Sequence, residues 1–258
     1  MSTTRTPWGS VQFSAQNEVR LDWERLRILV IKRGSDLLII EERDQTEASQ
    51  LEANPEAEFR RYAFQSSVDA IQVRPCMPDR PIVVHPLHPL RLAPKANVDF
   101  YVSIPVDILL STGDQEKGHD LERIRSEILS DTWFGDQMTG VLCYATKSRA
   151  RRDCPAMADA QSARAICKVQ IQNKSTEQLH CTKFCLRLNH CHLWLCENSL
   201  WTSPVNVRYN GSDQLSAIDY SEKAPVEASG AVKIAEAEEA PLSGLIRRTF
   251  ASLSTALA

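Results

Sequence analysis

The sequence contains neither a long apolar run nor an excess of charge of one sign. Nowhere in its 258 residues do apolar residues continue for the roughly 18 positions of a membrane-spanning helix, so we expect no transmembrane segment. Its 30 Lys and Arg residues are balanced by 33 Asp and Glu residues, and a formal net charge of -3 offers no chain-wide attraction for a phosphate backbone. We therefore expect no nucleic-acid partner.

Sequence motifs of catalysis and phosphate binding are missing as well. There are only nine glycines, and none of them belongs to a Gly-x-x-x-x-Gly-Lys loop or a Gly-x-Ser-x-Gly elbow. The metalloprotease pattern His-Glu-x-x-His is also absent. The residues therefore favour a non-enzymatic protein, and an enzyme of unrecognised chemistry is one alternative.

The N-terminal residues include no apolar signal sequence, which leads us to expect a cytoplasmic protein. Cytoplasmic thiols are kept reduced, so the eight cysteines are expected to be free rather than paired in disulfides. Ordinary globular composition, with 43% hydrophobic and 24% charged residues, excludes collagen, coiled coil and wholesale disorder.

The pattern of apolar residues is typical of β-strands. From Trp8 to Tyr220, apolar residues recur mostly at every second position, in short runs rich in Val, Ile and aromatic residues. These runs follow one another at a spacing of about ten residues, which suits the regular turns of a sandwich. The sequence predicts an all-β, antiparallel β-sandwich-like fold, with two stacked β lobes as a variant.

Prolines and charge suggest how the chain is divided. Several prolines between residues 75 and 95 remove ladder donors, so a division between two lobes is predicted there. We expect a β-rich domain over residues 1–221, followed by an acidic linker and a short amphipathic helix over 222–258. Ser243 is the predicted N-cap of this helix, and its apolar stripe comprises Leu245, Ile246, Phe250, Leu253 and Leu257.

Residues 180–196 concentrate cysteine and histidine. A two-residue turn at Asn189 and His190 would form a hairpin that places Leu188 opposite Cys191 and Cys191 in the core. The other face of this hairpin would carry four candidate metal ligands, with zinc as the candidate ion: Cys181, Cys185, His192 and Cys196. Since Cys181 and Cys185 would lie about 13 Å apart along one strand, structural thiols are favoured over a metal site.

Several blocks of sequence resemble a family of uncharacterised prokaryotic proteins, archaeal members included, that is catalogued only as a domain of unknown function. The resemblance extends over about residues 8–225. The blocks that carry it are 80–86 (RPIVVHP), 101–106 (YVSIPV), 133–135 (WFG), 140–144 (GVLCY) and 169–175 (VQIQNKS).

The resemblance implies an all-β protein without an assigned activity, ligand or catalytic residue. Similar proteins are encoded beside small mechanosensitive channels, so the resemblance also implies a membrane channel as a partner. Loops on a rigid β scaffold are typical of binding modules. We interpret the chain as a cytoplasmic protein-binding or accessory module, and a metal- or thiol-dependent protein centred on residues 180–196 is the main alternative.

Overall fold

The computed structural model describes residues 8–43, 59–113, 118–154, 163–211 and 216–240, together with the backbone of residues 245–247. Almost all of the regular structure in these ranges is β-strand, and the helices described are two single 3₁₀ turns, Leu188–His190 and Val226–Ala228. The predicted all-β class is confirmed. No helix in these ranges has the length and apolar character that a membrane span requires.

The chain divides into two compact units, and it passes between them more than once. The first unit comprises Met1–Cys76, Val106–Glu127 and Ala160–Ala163. The second unit comprises Met77–Pro105, Ile128–Asp159 and Arg164–Ala258. Each β-sheet lies within one unit.

The first unit contains two antiparallel four-stranded sheets. One sheet has the spatial order β1 (Gly9–Gln12), β6 (Ala70–Cys76), β10 (Asp107–Thr112) and β11 (His119–Ile124). The other is a meander of β2 (Glu18–Trp23), β3 (Leu26–Arg33), β4 (Asp36–Arg43) and β5 (Phe59–Ala63).

The two sheets of the first unit contact each other at both edges, as in a β-sandwich. At one edge, the rings of Trp8 and Trp23 lie 5.5 Å apart between their centroids. At the other edge, Arg60 of β5 forms a 2.6 Å ion pair with Glu122 of β11. Strands β3 and β4 supply a buried apolar cluster of Leu29, Ile31, Leu38 and Ile40. Successive side chains of a strand point to opposite faces of the sheet, so these four residues share one face and are buried together.

The second unit contains a mixed four-stranded sheet, a larger sheet and a small ribbon. The four-stranded sheet has the order β12 (Ser130–Phe134), β13 (Val141–Ala150), β7 (Ile82–Pro86) and β16 (Phe184–Leu186). The larger sheet has the order β21 (Val232–Ala235), β17 (Leu193–Cys196), β18 (Ser199–Thr202), β14 (Arg164–Asn173), β19 (Val205–Tyr209), β20 (Ser216–Tyr220) and β22 (Leu245–Arg247). Strand β9 (Asn97–Pro105) pairs with β14, and the ribbon joins β8 (Leu90–Leu92) to β15 (Leu179–Cys181).

Strand β14 organises the larger sheet. It runs antiparallel to β9 along one edge and parallel to β18 and then β19 along the other. Strand β13 likewise runs parallel to β7. The predicted antiparallel pairing therefore holds for most strand pairs, and these parallel pairs are the exceptions.

Asn173, at the end of β14, is a fully buried polar centre. Its amide nitrogen donates hydrogen bonds to the carbonyl oxygens of Leu92, Ala93 and Glu177 at 2.7 to 3.1 Å. Its amide oxygen accepts hydrogen bonds from the backbone N–H and the hydroxyl of Ser175. A buried amide with all these partners holds the loop after β14 to the turn after β8.

Two local predictions are wrong. The hairpin over residues 180–196 does not form, because a 3₁₀ turn separates β16 from β17 and these strands pair with β7 and with β18 and β21 instead. The predicted C-terminal helix fails at Leu245–Arg247, which form strand β22 and pair with β20. Ser243, Phe250, Leu253 and Leu257 lie outside the described residues.

Candidate functional site

Three of the four predicted metal ligands lie in three different sheets of the second unit, and the fourth lies outside the strands. Cys181 ends β15 of the small ribbon, Cys185 lies in β16 of the four-stranded sheet, and Cys196 ends β17 of the larger sheet. His192 precedes β17. Among the described residues, no group of three or more His, Cys, Asp or Glu side chains is arranged to hold a metal ion.

Three of the four predicted ligands contact other groups instead of one another. Burial raises the pKa of Cys181 to about 12, so its thiol is protonated at neutral pH. The sulfur of Cys196 lies 3.7 Å from the carbonyl oxygen of Ser229. Nδ1 of His192 accepts a 3.1 Å hydrogen bond from the backbone N–H of Ala237, and a carboxylate oxygen of Glu236 lies 2.8 Å from the same nitrogen. The three side chains therefore serve separate local contacts.

The fourth residue, Cys185, lies against a cysteine that sequence reasoning did not select. Its sulfur is 3.8 Å from the sulfur of Cys143 in β13, and both side chains are buried. Val83 of β7 and Phe134 of β12 pack around the two thiols. Strand β7 lies between β13 and β16, so the two sulfurs meet across an intervening strand.

A cationic side chain and a phenol lie near this thiol pair. The hydrogen bond from Cys185 lowers the pKa of the Cys143 thiol against the effect of burial, and the charge of Arg187 lowers it further. The same hydrogen bond and burial raise the pKa of Cys185. Nη1 of Arg187 and the hydroxyl of Tyr220 are buried and have no hydrogen-bond partner among the described residues. Arg187 follows directly after β16, two residues beyond Cys185, so the buried interior of the second unit holds a guanidinium as well as the two thiols.

The hairpin of β12 and β13 exposes an apolar surface, which we call the hairpin surface. Trp133 and Leu142 are directly opposite each other in the strand register and are 48% and 43% exposed. Met138 in the connecting turn is 91% exposed. Isolated exposed apolar residues are common on proteins, but an adjacent Trp and Leu with a Met at the same tip are typical of a contact surface.

Local interactions hold the hairpin surface in one conformation. The carboxylate of Asp136 accepts hydrogen bonds from the backbone N–H groups of Met138 and Thr139 at 3.0 and 2.8 Å. The indole N–H of Trp133 and the backbone N–H of Gly140 both donate to the carbonyl oxygen of Asp136 at 2.9 Å. The exposed Trp133 ring is therefore fixed before any partner binds, which reduces the entropy cost of binding.

A polar network fastens residues 226–235 to the larger sheet. Glu227 accepts hydrogen bonds of 2.6 Å from the ammonium group of Lys168 and from the hydroxyl of Tyr101. Ala228 is buried against Ile166 and Trp201, and strand β21 pairs with β17. The acidic segment expected to link the β-rich domain to a helix instead packs on the sheet over this range.

Protonation of Glu227 should weaken this attachment. Burial opposes ionisation of Glu227, but the hydrogen bonds from Lys168 and Tyr101 outweigh it and hold the pKa below its ordinary value. A lowered pKa in the folded state adds stability above the unfolded-state pKa, and this stability is lost as the pH falls through the folded-state pKa.

We therefore expect Glu227→Gln to cost about 1 kcal/mol of unfolding free energy at pH 7 and less at pH 3. Urea unfolding at several pH values measures this difference. Glu222→Gln is the matched control, because Glu222 is exposed and precedes the attached segment. An equal loss at both pH values would contradict an ionic role for Glu227.

Sequence reasoning missed the thiol pair and the hairpin surface for one reason. Trp133 and Cys143 both occur in the blocks that carry the family resemblance, but a period of two indicates only which residues share a face. Neither alternation nor spacing indicates that Cys143 meets Cys185, because the strand between them, β7, is distant in sequence from both.

Comparison with known proteins identifies a family but no function. Residues 7–254 match the family described as "Protein of unknown function (DUF432)", and the chain belongs to this family. Neither a curated protein nor a solved structure matches the chain.

Proposed function

We propose that this member of a family of unknown function is a non-enzymatic binding module that docks a protein partner through the hairpin surface. The observation that carries the proposal is the exposed, opposed pair of Trp133 and Leu142 on a hairpin whose turn is held by hydrogen bonds. Trp is the residue type most enriched among binding hot spots.

The energies are sufficient for a specific interaction. Complete burial of an exposed large apolar side chain contributes about 1.5 to 3 kcal/mol, and the exposed parts of Trp133, Met138 and Leu142 offer a share of this to a complementary pocket. A polar rim lies next to them, where Arg80 forms a 2.9 Å ion pair with Asp131 of β12. An apolar centre with a charged rim is the usual anatomy of a protein interface.

The proposed partner is a protein with an apolar groove, and the proposed location is the cytoplasm. The family resemblance favours the cytoplasmic face of a membrane channel as this partner. A lipid surface would also accept Trp, Met and Leu side chains, so the test includes vesicles.

Replacement of the hairpin surface tests the proposal. We expect Trp133→Ser with Leu142→Ser to reduce recovery of a crosslinked partner from the native host at least tenfold, because the variant removes the apolar centre of the interface. The matched control is Val226→Ser, which removes an apolar side chain that is 82% exposed elsewhere in the same unit. The captured partner is then purified. Its direct binding to the wild-type protein, to the hairpin variant and to the Val226→Ser control is measured by calorimetry.

Three outcomes decide the matter. Direct binding that fails only in the hairpin variant supports the proposal. Binding that persists in the hairpin variant contradicts it. Sedimentation with anionic vesicles that depends on Trp133 and Leu142 would replace the protein partner with a membrane.

A further inference from the structure

Cys143 and Cys185 are close in space and are not bonded to each other. They lie on β13 and β16, which flank β7. Their sulfurs are 3.8 Å apart, well beyond the length of a disulfide bond, about 2.05 Å, and both cysteines are free thiols. The fold thus holds two adjacent sulfurs as thiols.

The separation of the two sulfurs suits a shared metal ion. A bond between a thiolate and a metal such as zinc measures about 2.3 Å. With sulfurs 3.8 Å apart, an ion in contact with both would form a sulfur–metal–sulfur angle of about 110°. Linear coordination needs a sulfur separation of about 4.6 Å, which a small rotation of either side chain supplies. The two sulfurs can therefore bind one ion in either a bent or a linear arrangement.

The charge near the pair favours a monovalent ion. Two thiolates and one monovalent cation carry a charge of -1, which the guanidinium of Arg187 balances. Arg187 is only 9% exposed, and its buried Nη1 has no hydrogen-bond partner among the described residues. A divalent ion between two thiolates would leave the buried charge of Arg187 unbalanced, which is costly in a low-dielectric interior.

The ligand set excludes a structural zinc site of the usual kind. Such sites have four ligands in a tetrahedron. Within the described ranges, no third His, Cys, Asp or Glu joins the pair in a metal-binding group. Soft thiolate ligands in low number instead favour copper in its cuprous state.

We propose that Cys143 and Cys185 bind one cuprous ion, with Arg187 as the counter-charge. Binding replaces two S–H bonds with two copper–sulfur bonds and releases two protons to solvent, and no electron is transferred. Phe134 of β12 is 2% exposed and belongs to the same buried cluster as the two thiols.

Competition for cuprous ion tests the site. The whole protein is titrated anaerobically with cuprous ion in the presence of bathocuproine disulfonate, a chromogenic cuprous chelator. We expect the wild-type protein to hold one more copper ion per chain than Cys143→Ser or Cys185→Ser. The matched control Cys76→Ser removes a buried thiol of the first unit and should retain that ion. Arg187→Gln retains both thiols and should bind copper at least tenfold more weakly, whereas Arg187→Lys should restore most of the affinity.

A second measurement keeps the proposal testable if a variant does not fold. X-ray absorption at the copper edge of the wild-type protein loaded with one equivalent should show two sulfur neighbours and no nitrogen neighbour. Equal copper binding by wild-type protein and both serine variants would overturn the proposal. A spectrum dominated by nitrogen or by three or more sulfurs would also overturn it.

Discussion

Asn173→Asp is expected to lower the free energy of unfolding by about 4 kcal/mol or more, the largest effect of any substitution considered for this protein. The amide nitrogen of Asn173 donates to three backbone carbonyl oxygens, and a carboxylate at this position would present an oxygen to each of them. Each buried acceptor left without a donor costs about 1 to 3 kcal/mol, and repulsion between the carboxylate and the carbonyl groups adds to this cost.

The loss should depend on pH in a defined direction. A buried carboxyl that faces carbonyl oxygens is stabilised when it is protonated, because the O–H group can donate a hydrogen bond. Its folded-state pKa is therefore raised, and the deficit of the Asp variant should be largest above neutral pH and shrink as the pH falls. Urea unfolding of wild type and variant between pH 4 and pH 8 measures this trend.

The control for this substitution makes the same chemical change at the surface. Asn198 is exposed in the turn between β17 and β18, so Asn198→Asp should change the free energy of unfolding by less than about 0.5 kcal/mol. A stability of Asn173→Asp within 1 kcal/mol of wild type would show that the hydrogen bonds of Asn173 do not hold the loop.

Gly140→Ala is expected to cost about 2 to 3 kcal/mol and to displace the Trp133 ring. A Cβ atom on Gly140 would lie 2.6 Å from the carbonyl oxygen of Asp136 and closer still to Nε1 of Trp133. The carbonyl belongs to the turn backbone, so neither neighbour can move without breaking the hydrogen bonds that fix the hairpin surface. Partner binding should fall together with stability, because both depend on this turn.

Thermal unfolding and Trp fluorescence measure the two effects. The comparison is Gly34→Ala, where an added Cβ meets nothing within 4 Å and only the left-handed φ of +63° opposes the change, at a cost of about 1 kcal/mol. Gly140→Ala should be the less stable variant and should alone change the emission of Trp133. Equal stability of the two variants would show that the space beneath the indole is not needed.

Local pattern predicted the strands well because alternation is a short-range property. The apolar runs at residues 26–32 and 36–42 form strands β3 and β4. In β9, buried and partly buried residues alternate along most of the strand, as the period of two requires. Cys191 was assigned to the core and is 1% exposed, although the hairpin used to place it there does not exist.

The cysteine-rich segment shows where local reasoning fails. Its alternation was compatible with a hairpin, and sequence proximity made that pairing the simplest choice. In the structure, β16 pairs with β7, and β17 pairs with β18 and β21. The stripe from Leu245 also fits a helix, but β20 has an open edge that takes Leu245–Arg247 as a strand.

The sequence by itself determined the all-β class, the position of many strands and the absence of recognisable catalytic motifs. Only the tertiary structure decided which strands are neighbours, that Cys143 and Cys185 meet across β7, and that Trp133 and Leu142 share an exposed face with Met138 at its tip. The physical reason is that strand propensity and alternation act over a few residues, whereas strand pairing depends on the burial gained between segments far apart in the chain.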